Sequence, residues 1–433
     1  MSDNREIVLE ALLLHDKGEY ADKIIKSILD KYSYLERFER SFINRVFTGT
    51  VERKLSLDYV INSFSTVKVN KQKPVIRAIL RMSVYQLLFM DSVPDSAAIN
   101  EAVKLAKKKK FQGLSGFVNG VLRKISKEKD NIDLNKSNDL SIIYSCPKWL
   151  VDHFISECGT DKAKQILENS IVKRPVVIRT NMSKISPGDL VSRLEKEGVT
   201  VKKTNVQEAF EIDDFDGLSS LESFEEGLFC VQDLSSQSVI NDDVREVLKK
   251  ASLVIDVCAA PGGKTCHVLD TLEYLGNNSC KVISRDLSDS KADKIDENIE
   301  RCGFENVEVQ VHDALLLDEK LIGKADLVIA DLPCSGLGVI GRKADIKYRV
   351  TEEDLDSLAA LQKDILNVVA QYVKPGGMLI FSTCTVNKKE NCDNAIWIEK
   401  TLPFIPIGES VQLVNDTPLN DGFFISRFIK TEL

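Results

Sequence analysis

Leu253-Val254-Ile255-Asp256-Val257-Cys258-Ala259-Ala260-Pro261-Gly262-Gly263-Lys264-Thr265 is the stretch around which this chain is organised. Apolar residues around Asp256 read as a buried strand, and the Pro-Gly-Gly turn ends it before a helical run. Glycines there let backbone approach a ligand closely, and the helix N-terminus that follows offers unpaired N–H groups. Two further apolar strands end in Asp331-Leu332-Pro333-Cys334 and in Ser382-Thr383-Cys384-Thr385. Three strand ends therefore bring a small-molecule cradle and two cysteines to one edge of a sheet, where open α/β sheets bind ligands.

Working outward, strand-like runs at Leu253–Cys258, Lys281–Asp286, Val307–Val311, Ala325–Asp331, Gly377–Ser382 and Phe423–Ile429 alternate with helical patterns such as Leu355–Val373. That alternation predicts a doubly wound, Rossmann-like α/β sheet over residues 241–433. A phosphate-binding loop needs a glycine five residues before Gly263-Lys264-Thr265, but Cys258 stands there. A dinucleotide fingerprint is equally absent. The remaining reading is an S-adenosylmethionine site, with Asp286 placed to accept ribose hydroxyls and Asp313 the adenine amine. Each aspartate taken alone reads equally well as a helix cap.

The two cysteines suggest what is methylated. Carbon 5 of a pyrimidine is a poor nucleophile. A thiolate added to C6 makes an enamine that attacks the methyl donor, and loss of the C5 proton then expels the sulfur. A free thiol, with a pKa of about 8.5, is only partly ionised near neutrality, so the site must favour the thiolate. An acid is needed near N3, and Asp331 lies three residues before Cys334. An enzyme methylating an amine calls for a polar-Pro-Pro-aromatic stretch at this position instead.

The 433 residues exceed one ordinary domain. Residues 1–126 read as an all-α bundle, with helical runs from Arg40 to Val60, Pro74 to Met90, Ser96 to Lys110 and Ser115 to Lys124. Residues 127–145 read as a linker. Residues 146–240 hold a small α+β segment: a strand at Arg174–Asn181, a helix capped at Ser186-Pro187-Gly188-Asp189, and a strand at Val199–Val201. Residues 1–130 carry 24 Lys and Arg against 16 Asp and Glu, leaving 34 against 50 for the rest. A basic head on an acidic body suggests a polyanion partner, with Lys107–Lys110 as phosphate contacts and Arg174, Arg179 and Trp149 as contacts in the middle segment, buried packing being the ordinary fate of a residue such as Trp149. A solvated helix face with dipole-favouring lysines is the plain alternative.

No apolar run is long enough for a membrane helix, and Met1–Glu6 lack the features of an export signal, so a cytoplasmic protein without a membrane partner is expected. Ten cysteines with no CxxC pair read as reduced thiols, Cys230 among them as inert core. Four histidines (His15, His153, His267, His312) lack ligand spacing, so no metal site is expected.

The phrases Leu80-Arg81-Met82-Ser83-Val84-Tyr85-Gln86-Leu87-Leu88 and Ala98-Ile99-Asn100-Glu101-Ala102-Val103 resemble the NusB family of helical RNA-binding domains. Cys258–Thr265, Asp331-Leu332-Pro333-Cys334-Ser335-Gly336 and Ser382-Thr383-Cys384-Thr385 resemble the Sun/Fmu (RsmB) family of RNA cytosine-5 methyltransferases. The resemblance covers nearly the whole chain. It implies a class I methyltransferase sheet, S-adenosylmethionine as cofactor, and 5-methylcytosine formed in small-subunit (16S) ribosomal RNA, where a single-stranded or exposed cytosine is the expected target; the sequence is silent on oligomeric state, and a monomer is the default expectation. It implies Cys384 as nucleophile and Cys334 as the residue that helps release product. It also implies Cys258, Ala259, Ala260, Pro261, Gly262, Gly263, Lys264, Asp286, Asp313 and Asp331 as cofactor-binding positions, Asp331 lying beside the target base as well. Arg342–Tyr348 and Thr417–Phe424 depart from the family's pattern and bear on loop contacts to substrate. Alternatives are another RNA such as tRNA, a nucleotide hydrolase, and a non-catalytic NusB-like assembly factor.

Overall fold

Apolar residues three and four apart build the N-terminal helices of the computed structural model, which describes residues 4–415 and 417–432. Part of the N-terminal stretch read for an export signal, residues 1–3, lies outside the described residues. The chain forms two compact units: Met1–Val172 with Ile340–Arg349, and Lys173–Val339 with Val350–Leu433.

The first unit is helical throughout. Helices Asn4–His15, Ala21–Lys31, Arg37–Glu52, Lys54–Phe64, Pro74–Phe89, Asp95–Lys108 and Ser115–Glu128 pack around Phe47, Leu57, Leu80, Val84 and Leu122. Pro74 occupies the first helical turn, where its missing N–H is harmless. The single helix expected from Arg40 to Val60 is two, because Arg53 leaves helical dihedrals (φ −95°, ψ 15°). The second helix can start there because Ser145 Oγ accepts from its first-turn amides, Leu55 N at 2.9 Å and Ser56 N at 3.4 Å. Periodicity carries no trace of a partner ninety residues away. Residues 127–145 take up short helical turns at Lys129–Asn131, Leu134–Ser137 and Leu140–Ile143.

Residues 340–349 belong to this helical unit although they lie far along the chain. Asp345 accepts from Ala21 N at 3.0 Å and Arg349 Nε at 2.7 Å, and the Tyr348 hydroxyl bonds Ser145 and Glu52 O. Lys347 is fully buried. The stretch read as a substrate-contact loop is therefore, from Ala344 to Tyr348, built into the first unit.

The second unit opens with a four-stranded antiparallel sheet of β1 (Val176–Thr180), β2 (Thr200–Lys203), β3 (Ala209–Asp213) and β4 (Phe229–Val231), in the order β2-β3-β1-β4. The eight-stranded sheet follows: β5 (Leu253–Asp256), β6 (Lys281–Asp286), β7 (Val307–Val311), β8 (Ala325–Asp331), β9 (Val373–Thr383), β10 (Phe404–Pro406), β11 (Val411–Leu413) and β12 (Phe423–Lys430). Its order is β10-β12-β9-β8-β5-β6-β7, with β11 beside β12. β5 to β9 run parallel and β12 is antiparallel to β9. β5 and β8 are nearly continuous apolar runs, as strands covered on both faces must be. The chain order reverses between β5 and β8, which sets the crevice for a ligand at their C-terminal ends.

Two expected RNA contacts are internal instead. Arg179 is 1% exposed and its guanidinium pairs with Asp270 at 2.6 Å. Arg174 is held by Asp421 at 2.9 Å with almost no side-chain surface free. Buried guanidinium groups need such partners. Trp149 is half-buried. In the lysine run, Lys108 and Lys109 pair with Glu6 of the first helix, while Lys107 and Lys110 stay exposed.

Candidate active site

The turn after β5 is shaped by Gly262, whose φ of +100° suits glycine and whose added Cβ would press on Ile295 Cα at 3.3 Å. Gly262 caps the helix Gly263–Tyr274. Thr265 Oγ1 turns inward to Asp256 at 2.8 Å, and burial pushes the Asp256 carboxyl up to about 7. Lys264 reaches across to Asp331 Oδ2 at 2.5 Å and lies over the Phe423 ring at 5.0 Å. Burial alone lowers its pKa, but the Asp331 carboxylate beside it outweighs this and raises the value, so Lys264 stays cationic. Lys264 and Thr265 are thus tied within the sheet rather than arranged for phosphate.

Asp286, at the end of β6, accepts from Ala260 N at 2.9 Å, Leu287 N at 2.7 Å and Lys291 Nζ at 2.8 Å. It is not a helix cap, since Ser288 occupies that position. Asp313 follows β7 and accepts from Leu315 N at 3.0 Å. A cavity of about 350 Å³ is lined by Cys258, Ala260, Asp286, Asp313, Asp331, Cys334 and Cys384 among others. Its wall also includes Leu287 and Leu315, which are 61% and 41% exposed. Large apolar side chains left open beside three carboxylates fit a ligand with an apolar ring and polar hydroxyl or amine groups. Of the expected cofactor positions, Ala259, Pro261, Gly262, Gly263 and Lys264 form the turn behind this wall. Burial raises the Cys258 thiol, with the nearby Asp286 carboxylate adding to it, so that sulfur stays protonated.

Register brings the cysteines together. Asp331 of β8 pairs with Ser382 of β9, so the segments leaving both strands start side by side. Cys334 Sγ and Cys384 Sγ are 3.2 Å apart. The Cys334 thiol is raised by its hydrogen bond with Cys384 and further by burial. Asp331 Oδ1 accepts from Ser382 Oγ at 2.8 Å, so both carboxylate oxygens are engaged.

A buried polar network behind the sulfurs was not legible in the chain. Glu390 accepts from Ser335 N at 2.9 Å, from Ser335 Oγ, from Asn387 at 2.8 Å and from Gln362 at 3.2 Å. Ser335 Oγ also contacts Thr385 Oγ1 at 2.7 Å. Gly338 N donates to Cys384 O at 3.1 Å and Gly338 O accepts from Gly422 N at 2.9 Å; a side chain on Gly338 would overlap both neighbours. The only hint was polar residues flanking both cysteines. The tail Thr417–Phe424, read as a loop toward substrate, supplies this Gly422 contact.

Residues 247–428 match the family described as 16S rRNA methyltransferase RsmB/F, residues 2–127 match the NusB family, and residues 146–215 match the RsmF/B-like ferredoxin-like domain. The chain is 33% identical to a probable ribosomal RNA small subunit methyltransferase B of Bacillus subtilis, covering 98% of both chains. It is 26% identical to the ribosomal RNA small subunit methyltransferase B of Cronobacter sakazakii, over 96% of this chain and 95% of that protein. Among solved structures, PH0851 superposes with a TM-score of 0.80 at 24% identity over 99% of both chains. NSun6 from Pyrococcus horikoshii, solved with SFG, superposes with a TM-score of 0.56 at 24% identity, over 66% of this chain and 99% of that one. Both share the fold.

Proposed function

Because the chain belongs to the ribosomal RNA small subunit methyltransferase B family, we propose that it is an S-adenosylmethionine-dependent ribosomal RNA methyltransferase that forms 5-methylcytosine, with Cys384 as nucleophile. The observation that carries this reading is the 3.2 Å approach of two thiols on the wall of a cavity lined by strand-end carboxylates. Transfer to an exocyclic amine has no use for such a pair, whereas transfer to C5 needs a sulfur that can add to C6 and leave again.

Bound in the cavity, S-adenosylmethionine supplies an electrophilic methyl group. Asp286 is assigned to its ribose hydroxyls and Asp313 to its adenine amine, with Cys258–Lys264 forming the turn beside it. Lys264 provides a fixed cation within electrostatic reach of Cys384 sulfur, which is what a thiolate nucleophile needs. Cys384 adds to C6 of the cytosine, and C5 becomes nucleophilic. Asp331, shared with Lys264 and Ser382, is assigned to the base near N3. Cys334 is the group beside the adduct for handling the proton lost from C5, and so for release of Cys384. The helical head, with exposed Lys107 and Lys110, is assigned to RNA backbone contact.

The test is nucleoside mass spectrometry of unmodified 16S ribosomal RNA incubated with the purified chain and labelled S-adenosylmethionine. Label in 5-methylcytosine supports the reading. Label in an amine-methylated base, or none with RNA and cofactor both bound, overturns it.

A further inference from the structure

The sulfur atoms of Cys230, Cys266 and Cys302 all lie within 4.8 Å of one another, and all three residues are buried. They come from three separate elements of the second unit: β4, the helix Gly263–Tyr274, and the last residue of the helix Asp289–Cys302. Cys230 Sγ and Cys302 Sγ are 3.5 Å apart. Zinc–sulfur bonds of ~2.3 Å at tetrahedral angles set thiolate sulfurs about 3.8 Å apart, so sulfurs within 4.8 Å of one another are close enough to share one ion.

The polar surroundings point the same way. Asn181 Nδ2 lies 3.5 Å from Cys302 Sγ as a donor, and its amide is oriented by Gly227 O at 2.7 Å and Arg179 at 3.0 Å. Arg301 Nη2 lies 4.0 Å from Cys230 Sγ. N–H groups aimed at sulfur are what thiolates bound to a metal receive from the residues around them, and thiols packed only as small apolar groups have no need of them.

Hydrogen bonds from Cys266 and Cys302 hold Cys230 well below the usual thiol range, and the same contact with Cys230 raises the other two. A bound divalent ion is held by deprotonated thiols, so binding at this triad sets three thiolates around one cation and releases the thiol protons.

We propose that Cys230, Cys266 and Cys302 form a three-thiolate site for a thiophilic divalent cation of the zinc type, fastening β4 to the helices Gly263–Tyr274 and Asp289–Cys302. The site is separate from the Cys334–Cys384 pair. Such a site leaves no ligand spacing in the sequence, since successive cysteines of the triad are 36 residues apart and only the fold assembles them.

The test uses the full chain carrying Cys334→Ser and Cys384→Ser, which removes the other close thiol pair. It is titrated without oxygen with cobalt(II) and then with zinc(II). The expected result is a near-ultraviolet sulfur-to-cobalt band saturating at one equivalent, displaced by zinc, with protons released on binding. Zinc also raises the melting temperature of this protein, and Cys302→Ala or Cys266→Ala abolishes both effects. No sulfur-to-cobalt band at excess metal, or a band unchanged in both alanine variants, overturns the proposal. If one alanine variant fails to fold, the other decides.

Discussion

Cys334 Sγ lies 3.2 Å from Cys384 Sγ although fifty residues separate them. The pairing of Asp331 with Ser382 on adjacent parallel strands produces this contact, and Gly338 and Glu390 hold the two segments in register beyond the strands. The account of the chemistry depends on that juxtaposition.

Glu390 is the central acceptor of the network behind both sulfurs. Glu390→Gln keeps the volume but replaces one carboxylate oxygen by a donor facing donors. Stability is expected to fall by about 1–3 kcal/mol, and turnover is expected to fall more than cofactor affinity. Thermal melts with kcat and cofactor-binding measurements check this. Unchanged turnover in a protein of lowered stability contradicts a positioning role.

Asp286→Asn removes the charge assigned to the ribose hydroxyls while an amide oxygen can still accept from Ala260 N. The expected effect is a roughly 10- to 100-fold weaker affinity for S-adenosylmethionine, from ~1.5–3 kcal/mol of charged hydrogen bonding. Calorimetric titration reads it directly. Tight binding by the variant contradicts the assignment.

Lys347 is fully buried in the first unit with a 3.4 Å contact to Tyr144 O, and burial lowers its pKa to about 8. An unfolded lysine titrates near ~10.4. Between about 8 and that value the unfolded chain binds more protons than the folded one, so this group makes stability rise with pH across the window. Below it the burial is a constant cost. Lys347→Met is expected to raise stability at pH 7 by up to roughly 3 kcal/mol and to flatten the rise above pH 8. Denaturant melts at pH 7, 8.5 and 10 decide it, and parallel curves for both proteins contradict it.

Strands covered on both faces announce themselves as apolar runs, which is why β5, β6, β8, β12 and the Gly377–Ser382 part of β9, with the acids and cysteines at their ends, could be read from the chain. β10 and β11, three residues each, carry no periodicity. Arg179 reads alike as an RNA contact or as half of a buried ion pair, because Asp270 stands ninety-one residues on. Glu390 and Gly338 were hidden for the same reason: their roles lie in partners that only the fold brings near. Arg53 ends a helix that periodicity continues, since the capping Ser145 belongs to another segment.

The central claim, attack by Cys384 with release aided by Cys334, is tested most directly by denaturing gel electrophoresis of each alanine variant with 16S ribosomal RNA and S-adenosylmethionine. Cys334→Ala is expected to accumulate a denaturation-resistant protein–RNA adduct, while Cys384→Ala forms neither adduct nor product. An adduct on Cys384→Ala and none on Cys334→Ala contradicts the account and exchanges the two roles.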